Sequence, residues 1–127
     1  MRGLTLALLI TLAVGCGEAL TGPTDPPDPS VSSFFDQGRA DLISRGVPSA
    51  QSARIEQFSF QAVEGPFDCG DVRGTQGCFL TKGNIIRYGI RHEYVVRHEA
   101  KHAILHALGD SRWRCVEHTC LGTPQWD

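Results

Sequence analysis

Residues 92–109 read His92-Glu93-Tyr94-Val95-Val96-Arg97-His98-Glu99-Ala100-Lys101-His102-Ala103-Ile104-Leu105-His106-Ala107-Leu108-Gly109. Apolar side chains recur at 94, 95, 96, 100, 103, 104, 105, 107 and 108, the pattern of a well-buried helix. Gly109 is its natural stop. The spacing places His98 about two turns into that helix. His98 and His102 are four residues apart and share one face.

Two imidazoles one turn apart can aim their ring nitrogens at a single Zn²⁺. Glu99, one position beyond the first histidine, can reach a water beside the metal without being a ligand itself. The five residues His98 to His102 thus form the H-E-x-x-H pattern, two ligands and a general base. His106 repeats the spacing, but ligands at 98 and 106 would lie about 12 Å apart along the axis, too far for one ion. It is expected to face the following segment or solvent.

Outside this helix the period is different. Phe34 to Arg45 reads as a short amphipathic helix. Ser33 or Asp36 is its expected cap, and Gly46 and Pro48 end it, with Gly38 weakening its middle. Ala53 to Val63 alternates through Phe58, Phe60 and Ala62 as a half-buried strand does, and Gly65-Pro66 closes it. Cys69 to Cys78, with Gly70, Gly74 and Gly77, reads as a turn-rich loop or hairpin. Cys78 to Leu80 and Ile85 to Ile90 are further strands, separated by a turn at Lys82-Gly83-Asn84.

The first residues read as an export signal. Arg2 is a short basic start, and Leu4 to Val14 is an apolar run too short to span a bilayer. It leads to Ala13-Val14-Gly15-Cys16. That order resembles the lipobox of bacterial lipoproteins, although Ala13 stands where leucine is usual. The resemblance implies a signal peptide over 1–15, a lipid on Cys16 that anchors the chain to a membrane, and a place in the bacterial cell envelope, the outer membrane in a Gram-negative cell. An ordinary secretory signal would release the chain instead. Residues 16–33, rich in Pro, Asp, Ser and Thr, read as a disordered tether, and 34–127 as one small domain.

The whole chain has five cysteines. With Cys16 lipidated, Cys69, Cys78, Cys115 and Cys120 remain, and an oxidising compartment favours their pairing. Of three possible pairings the local one, Cys69–Cys78 with Cys115–Cys120, is expected. A structural zinc site using Cys115 and His118 is the competing reading. Net charge is −2, and −3 once Arg2 is cleaved away with the signal. No basic patch points to nucleic acid, and the domain is expected to act as a monomer.

A strand, a helix with H-E-x-x-H, a glycine turn and a return segment, over roughly residues 78–120, resemble the zincin metallopeptidases in their smallest form. The resemblance implies an α+β fold with a small, twisted, mostly antiparallel sheet packed on the active-site helix. It also implies that Ile85–Ile90 is a sheet edge able to pair with an extended peptide. The metzincin continuation is missing, since Leu105 and Leu108 occupy its glycine and third-histidine positions. Catalytic zinc usually takes three protein ligands, so the third is sought after the turn. His118, flanked by Cys115 and Cys120, is the choice, with Asp110 and Glu117 as alternatives. His92, Tyr88, His106 and Arg112 are candidates for a group that steadies the developing oxyanion. The expected function is zinc-dependent hydrolysis of a peptide or protein substrate. The other readings are a non-catalytic zinc-binding surface module and a structural lipoprotein whose histidines hold no metal.

Overall fold

The computed structural model describes residues 27–115. Helix α1 spans Pro29–Ser44, followed by 3₁₀ turns at Pro48–Ser52 and Ile55–Gln57. Five short strands come next: β1 Ser59–Val63, β2 Phe67–Cys69, β3 Val72–Thr75, β4 Gly77–Leu80 and β5 Ile85–Gly89. A 3₁₀ turn at Glu93–Val95 leads into helix α2, Val96–Ala107, and a last 3₁₀ turn covers Ser111–Cys115. The chain is an α+β fold. Among the described residues no helix is long and apolar enough to cross a membrane.

Helix α1 begins earlier than its apolar pattern suggests. The Asp28 carboxylate accepts from the Ser30 backbone N–H at 2.8 Å, and Pro29 occupies the first turn. Aspartate at the cap and proline just inside it are strong start signals. The last residues of the expected tether, 29–33, therefore belong to the helix, and Val31 is fully buried. Val31, Phe35, Gly38 and Leu42, at spacings of four, three and four, form the buried stripe. At the far end Gly46, at φ +92°, turns the chain. Gly46 N–H donates to Ile43 and Val47 N–H to Leu42, closing the helix in a Schellman motif with Val47 buried beneath it.

The two helices cross closely. A Cβ at Gly38 would sit 2.5 Å from the Arg97 carbonyl oxygen and 3.2 Å from Ala100 Cβ. The glycine that weakens α1 in isolation is what lets α2 approach it. Val96, Ala100, Ala103, Ile104 and Leu105 of α2 join the α1 stripe, Ile86 and Phe58 in one core. Burying a side chain of the size of Phe35 or Leu42 contributes roughly 1.5–3 kcal/mol.

The expected strand from Ala53 to Val63 is shorter than its alternation. Only residues 59–63 extend, because the Gln57 side chain accepts from Arg54 N–H at 2.7 Å and folds the preceding stretch into a turn. The main sheet has the order β1-β5-β4 and is mixed: β5 runs parallel to β1 and antiparallel to β4. The Ile85–Ile90 segment is therefore not an edge. Strand β5 is central, with both its hydrogen-bonding sides in use, and β1 and β4 are the edges. Strands β2 and β3 form a separate antiparallel hairpin. The Cys69–Cys78 disulfide ties this hairpin to β4.

Candidate metal centre

Helix α2 starts at Val96, so His98 is its third residue and lies in its first turn, not two turns in. The stretch Glu93–Val95 is wound as a 3₁₀ turn instead. The intended face is nevertheless formed. His98 Nε2 and His102 Nε2 are 3.0 Å apart, and the two rings meet edge to face. Glu99 Oε1 lies 4.0 Å from His98 Nε2. One ligand atom from each of the three residues falls within 4.8 Å of the others, the only such group among the described residues.

This arrangement fits a zinc ion. Two nitrogens each about 2.0–2.1 Å from one tetrahedral metal are themselves a little over 3 Å apart. The protonation pattern fits as well. His102 Nδ1 meets the backbone carbonyl of Trp113. A carbonyl only accepts, so Nδ1 carries the proton and Nε2 presents its lone pair to the metal position.

The turn after α2 brings that carbonyl into place. Gly109, at φ +70°, lets its own N–H reach His106 and the Asp110 N–H reach Leu105. The Asp110 carboxylate then accepts from Arg112 N–H at 3.0 Å and receives the Arg112 guanidinium at 2.5–3.1 Å. These bonds start the 3₁₀ turn that carries Trp113 back beneath His102. The Arg112 hydrogen bonds hold the Asp110 carboxyl below its usual range, against a smaller opposing effect of burial. Asp110 is thus paired with Arg112 and is not in the group that the histidine pair forms with Glu99. Glu117 and His118 lie outside the described residues, as does Cys120, and with it the expected Cys115–Cys120 bridge. Residues 1–26, including Cys16, are outside them too.

His106 packs edge to face on Phe79 and Trp113, with ring centroids 5.5 and 5.1 Å away. It faces the segment after the turn and is not part of the metal group. The four candidate oxyanion groups are engaged elsewhere. Arg112 holds Asp110, His92 Nδ1 lies 3.2 Å from the Tyr94 hydroxyl, and half-buried Tyr88 packs against the core. Burial pushes the Tyr88 phenol above its ordinary value, with Glu93 and Asp28 adding to it.

Two clefts meet at His98 and Glu99, and Thr75 and Gly77 line both. One, of about 410 Å³, is walled by Cys69, Val72, Phe79, Trp113 and Arg114 and also reaches His102. The other, of about 570 Å³, is walled by Phe34, Gln37, Gln76, Tyr94, Arg97 and Lys101. Gly77 is needed where it stands. A Cβ there would fall 2.9 Å from Val95 Cγ2 and 3.1 Å from Glu99 Oε1.

Lys101, between the two motif histidines, is only 1% exposed. Its ammonium lies 2.6 Å from the Asp41 carboxylate, which also accepts from Arg45 Nε at 3.1 Å. Burial pushes the Asp41 pKa up, but the bonds to Lys101 and Arg45 and the charges of both outweigh it, and the net shift is downward. The pair fixes α2 on α1 directly behind the histidines. Neither this pair nor the Trp113 carbonyl stands out in the sequence. Compared with protein-family models, with curated proteins and with solved structures, the chain gives no match.

Proposed function

We propose that this chain is a zinc-dependent peptide hydrolase of zincin type. The observation that carries the proposal is the convergence of His98 Nε2 and His102 Nε2 at 3.0 Å, with the Glu99 carboxylate beside them at the junction of two open clefts. His98 and His102 would hold the ion. Zinc bound there supplies a Lewis acid that acidifies water and polarises a carbonyl.

The chain's own residues do the rest. Trp113 keeps His102 in the tautomer that binds. Glu99, 7% exposed, has its carboxylate at the cleft junction and takes a proton from the attacking water, then gives it to the leaving amine. The clefts receive the chain to be cut on either side of Glu99. Strand β4, an edge strand whose Gly77 lies against Glu99, replaces Ile85–Ile90 as the segment beside which an extended peptide would lie.

His118 is our choice for the third ligand. It follows the last described residue, Cys115, by three positions, and Glu117 by two. His118 is preferred over Glu117 for its place between Cys115 and Cys120 in the sequence. Lipid attachment at Cys16 and a position in the cell envelope complete the proposal.

The test is hydrolysis of a peptide pool by the full chain, with zinc content measured on the same preparation. Turnover that a chelator abolishes and zinc restores is the expected result. Turnover indifferent to chelation, or protein that takes up no zinc, would overturn the reading.

A further inference from the structure

The larger of the two clefts carries a charge that the fold uses only weakly. Arg97 lines it, with its side chain 50% exposed. Its guanidinium comes no closer than 4.0 Å to Asp41, and among the described residues it makes no hydrogen bond. Asp41 has no need of it, because Lys101 and Arg45 already contact that carboxylate at 2.6 and 3.1 Å. Four other arginines are held by hydrogen bonds: Arg39 donates to Ala53, Arg54 to Gln51, Arg73 to Asp68 and Arg87 to Gln61.

The position is also one that stability does not favour. Arg97 is the second residue of α2, where the helix dipole disfavours a cation. A residue that breaks a local rule without a structural return is a candidate for binding. Of the charged groups that line the cleft, Glu99 is the only acid, and Arg97 and Lys101 are the cations, Lys101 being committed to Asp41. Gln37, Gln76 and Thr75 add polar groups to the wall, and Phe34 and Tyr94 add aromatic surface.

We propose that Arg97 binds a carboxylate of the peptide, so that the chain acts on peptides with an acidic side chain or a free C-terminus next to the bond cleaved. This rests on the peptide-hydrolase reading above. Arg97 is planar and forked, suited to holding a carboxylate through two parallel hydrogen bonds. The volume of about 570 Å³ has room for a residue and its neighbour. Phe34 and Tyr94 then contact the carbon chain that bears the acid.

The test separates binding from turnover. Zinc-loaded full-length Glu99→Gln protein is immobilised and offered a random peptide pool in two forms, with free and with amidated C-termini. Retained peptides are sequenced by mass spectrometry, and metal-free wild-type protein is run alongside. Enrichment of Asp and Glu in both pools assigns the side-chain carboxylate, and enrichment of the free-terminus pool alone assigns the terminal one. Arg97→Gln is expected to lower the enrichment about tenfold, and Arg97→Lys to restore part of it. Zinc content and circular dichroism verify that the variants fold. Equal retention of acidic and neutral peptides, no retention at all, or enrichment unchanged in folded Arg97→Gln would overturn the proposal. Failure of hydrolysis with carboxylate selectivity intact would instead count against the hydrolase reading alone.

Discussion

The Nδ1 of His102 is hydrogen-bonded to the backbone carbonyl of Trp113, eleven residues further along the chain. This single contact links a helix, a glycine turn and a 3₁₀ turn to the orientation of one imidazole. In the proposed zinc site it would make metal binding depend on the geometry of the turn. Gly109 sits at φ +70°, where a non-glycine residue costs about 1–2 kcal/mol. Gly109→Ala is therefore expected to lower stability by that amount. It also displaces Trp113, and losing the partner of a ligating histidine typically costs 10–100-fold in metal affinity. Competition with a chelator of known zinc affinity measures it. Wild-type affinity in the variant would show that Trp113 does not position the ring.

Glu99 should separate binding from chemistry. Glu99→Gln keeps the shape of the side chain and removes its ability to take a proton. We expect zinc binding within a few fold of wild type and peptide turnover lower by about 10²–10⁴-fold, the usual contribution of a general base. A variant that still hydrolyses peptides at the wild-type rate would exclude Glu99 from proton transfer.

Gly77 supports Glu99 from the opposite wall. A methyl group there would press on Val95 and on the Glu99 carboxylate, at 2.9 and 3.1 Å. Val95 is half-buried and lines the same cleft, so the added methyl is accommodated by moving Val95, the carboxylate or both. Gly77→Ala is expected to reduce turnover by about tenfold or more, since small misplacements of a catalytic group are costly. Zinc content should stay the same, because neither histidine is touched. Loss of zinc together with activity would mean that the whole wall had shifted.

The site was legible where its information is local. A histidine pair at helical spacing, its neighbouring glutamate and the Gly109 stop all lie within twelve residues, and helix periodicity orders them. Long-range pairing left no such trace. Strand β5 reads as well for an edge as for a centre. Its parallel partner β1 is 26 residues away in register, and nothing in Ser59–Val63 names Ile85–Gly89 as its mate. The carbonyl that holds His102 belongs to the backbone and has no sequence signal at all. Lys101 reads as a solvated helix residue until Asp41, on a different helix, takes its charge. The start of α1 was hidden for another reason: Asp28-Pro29 has the composition of a linker and the chemistry of a cap.

The Asp41–Lys101 pair gives a stability prediction with a pH signature. Removing one member of a buried ion pair commonly costs 3–5 kcal/mol. Asp41 keeps some solvent contact, so Asp41→Asn is expected at the lower end, about 3 kcal/mol. Lys101→Met should cost less, because methionine fills the space and Asp41 retains Arg45. The Asp41 pKa is lowered from an ordinary 3.8 in the folded state. Its contribution is therefore complete above about pH 4 and is lost as pH falls below that, through the lowered folded value. Denaturant titrations of wild type and Asp41→Asn should differ by a constant amount at neutral pH and converge in acid. A difference that grew on acidification would contradict the pairing.

The Cys69–Cys78 bridge joins the β2–β3 hairpin to β4, and both of its residues line the cleft at His98 and His102. Among the described residues the two strands of that hairpin pair only with each other, so the bridge, with the short link through Gln76, ties it to the sheet. Closing a loop with a sequence separation of 9 restricts the unfolded chain by about 2.5 kcal/mol. Replacing both cysteines by serine should lower stability by roughly that amount. It should also free residues 67–75 locally, seen as faster amide hydrogen exchange there than in α2. Because His98 and His102 are held by α2 and Trp113 rather than by the hairpin, zinc affinity should change little. Turnover should fall, since the wall of one cleft is no longer fixed. Unchanged exchange in the hairpin after loss of the bridge would show that other contacts hold that wall.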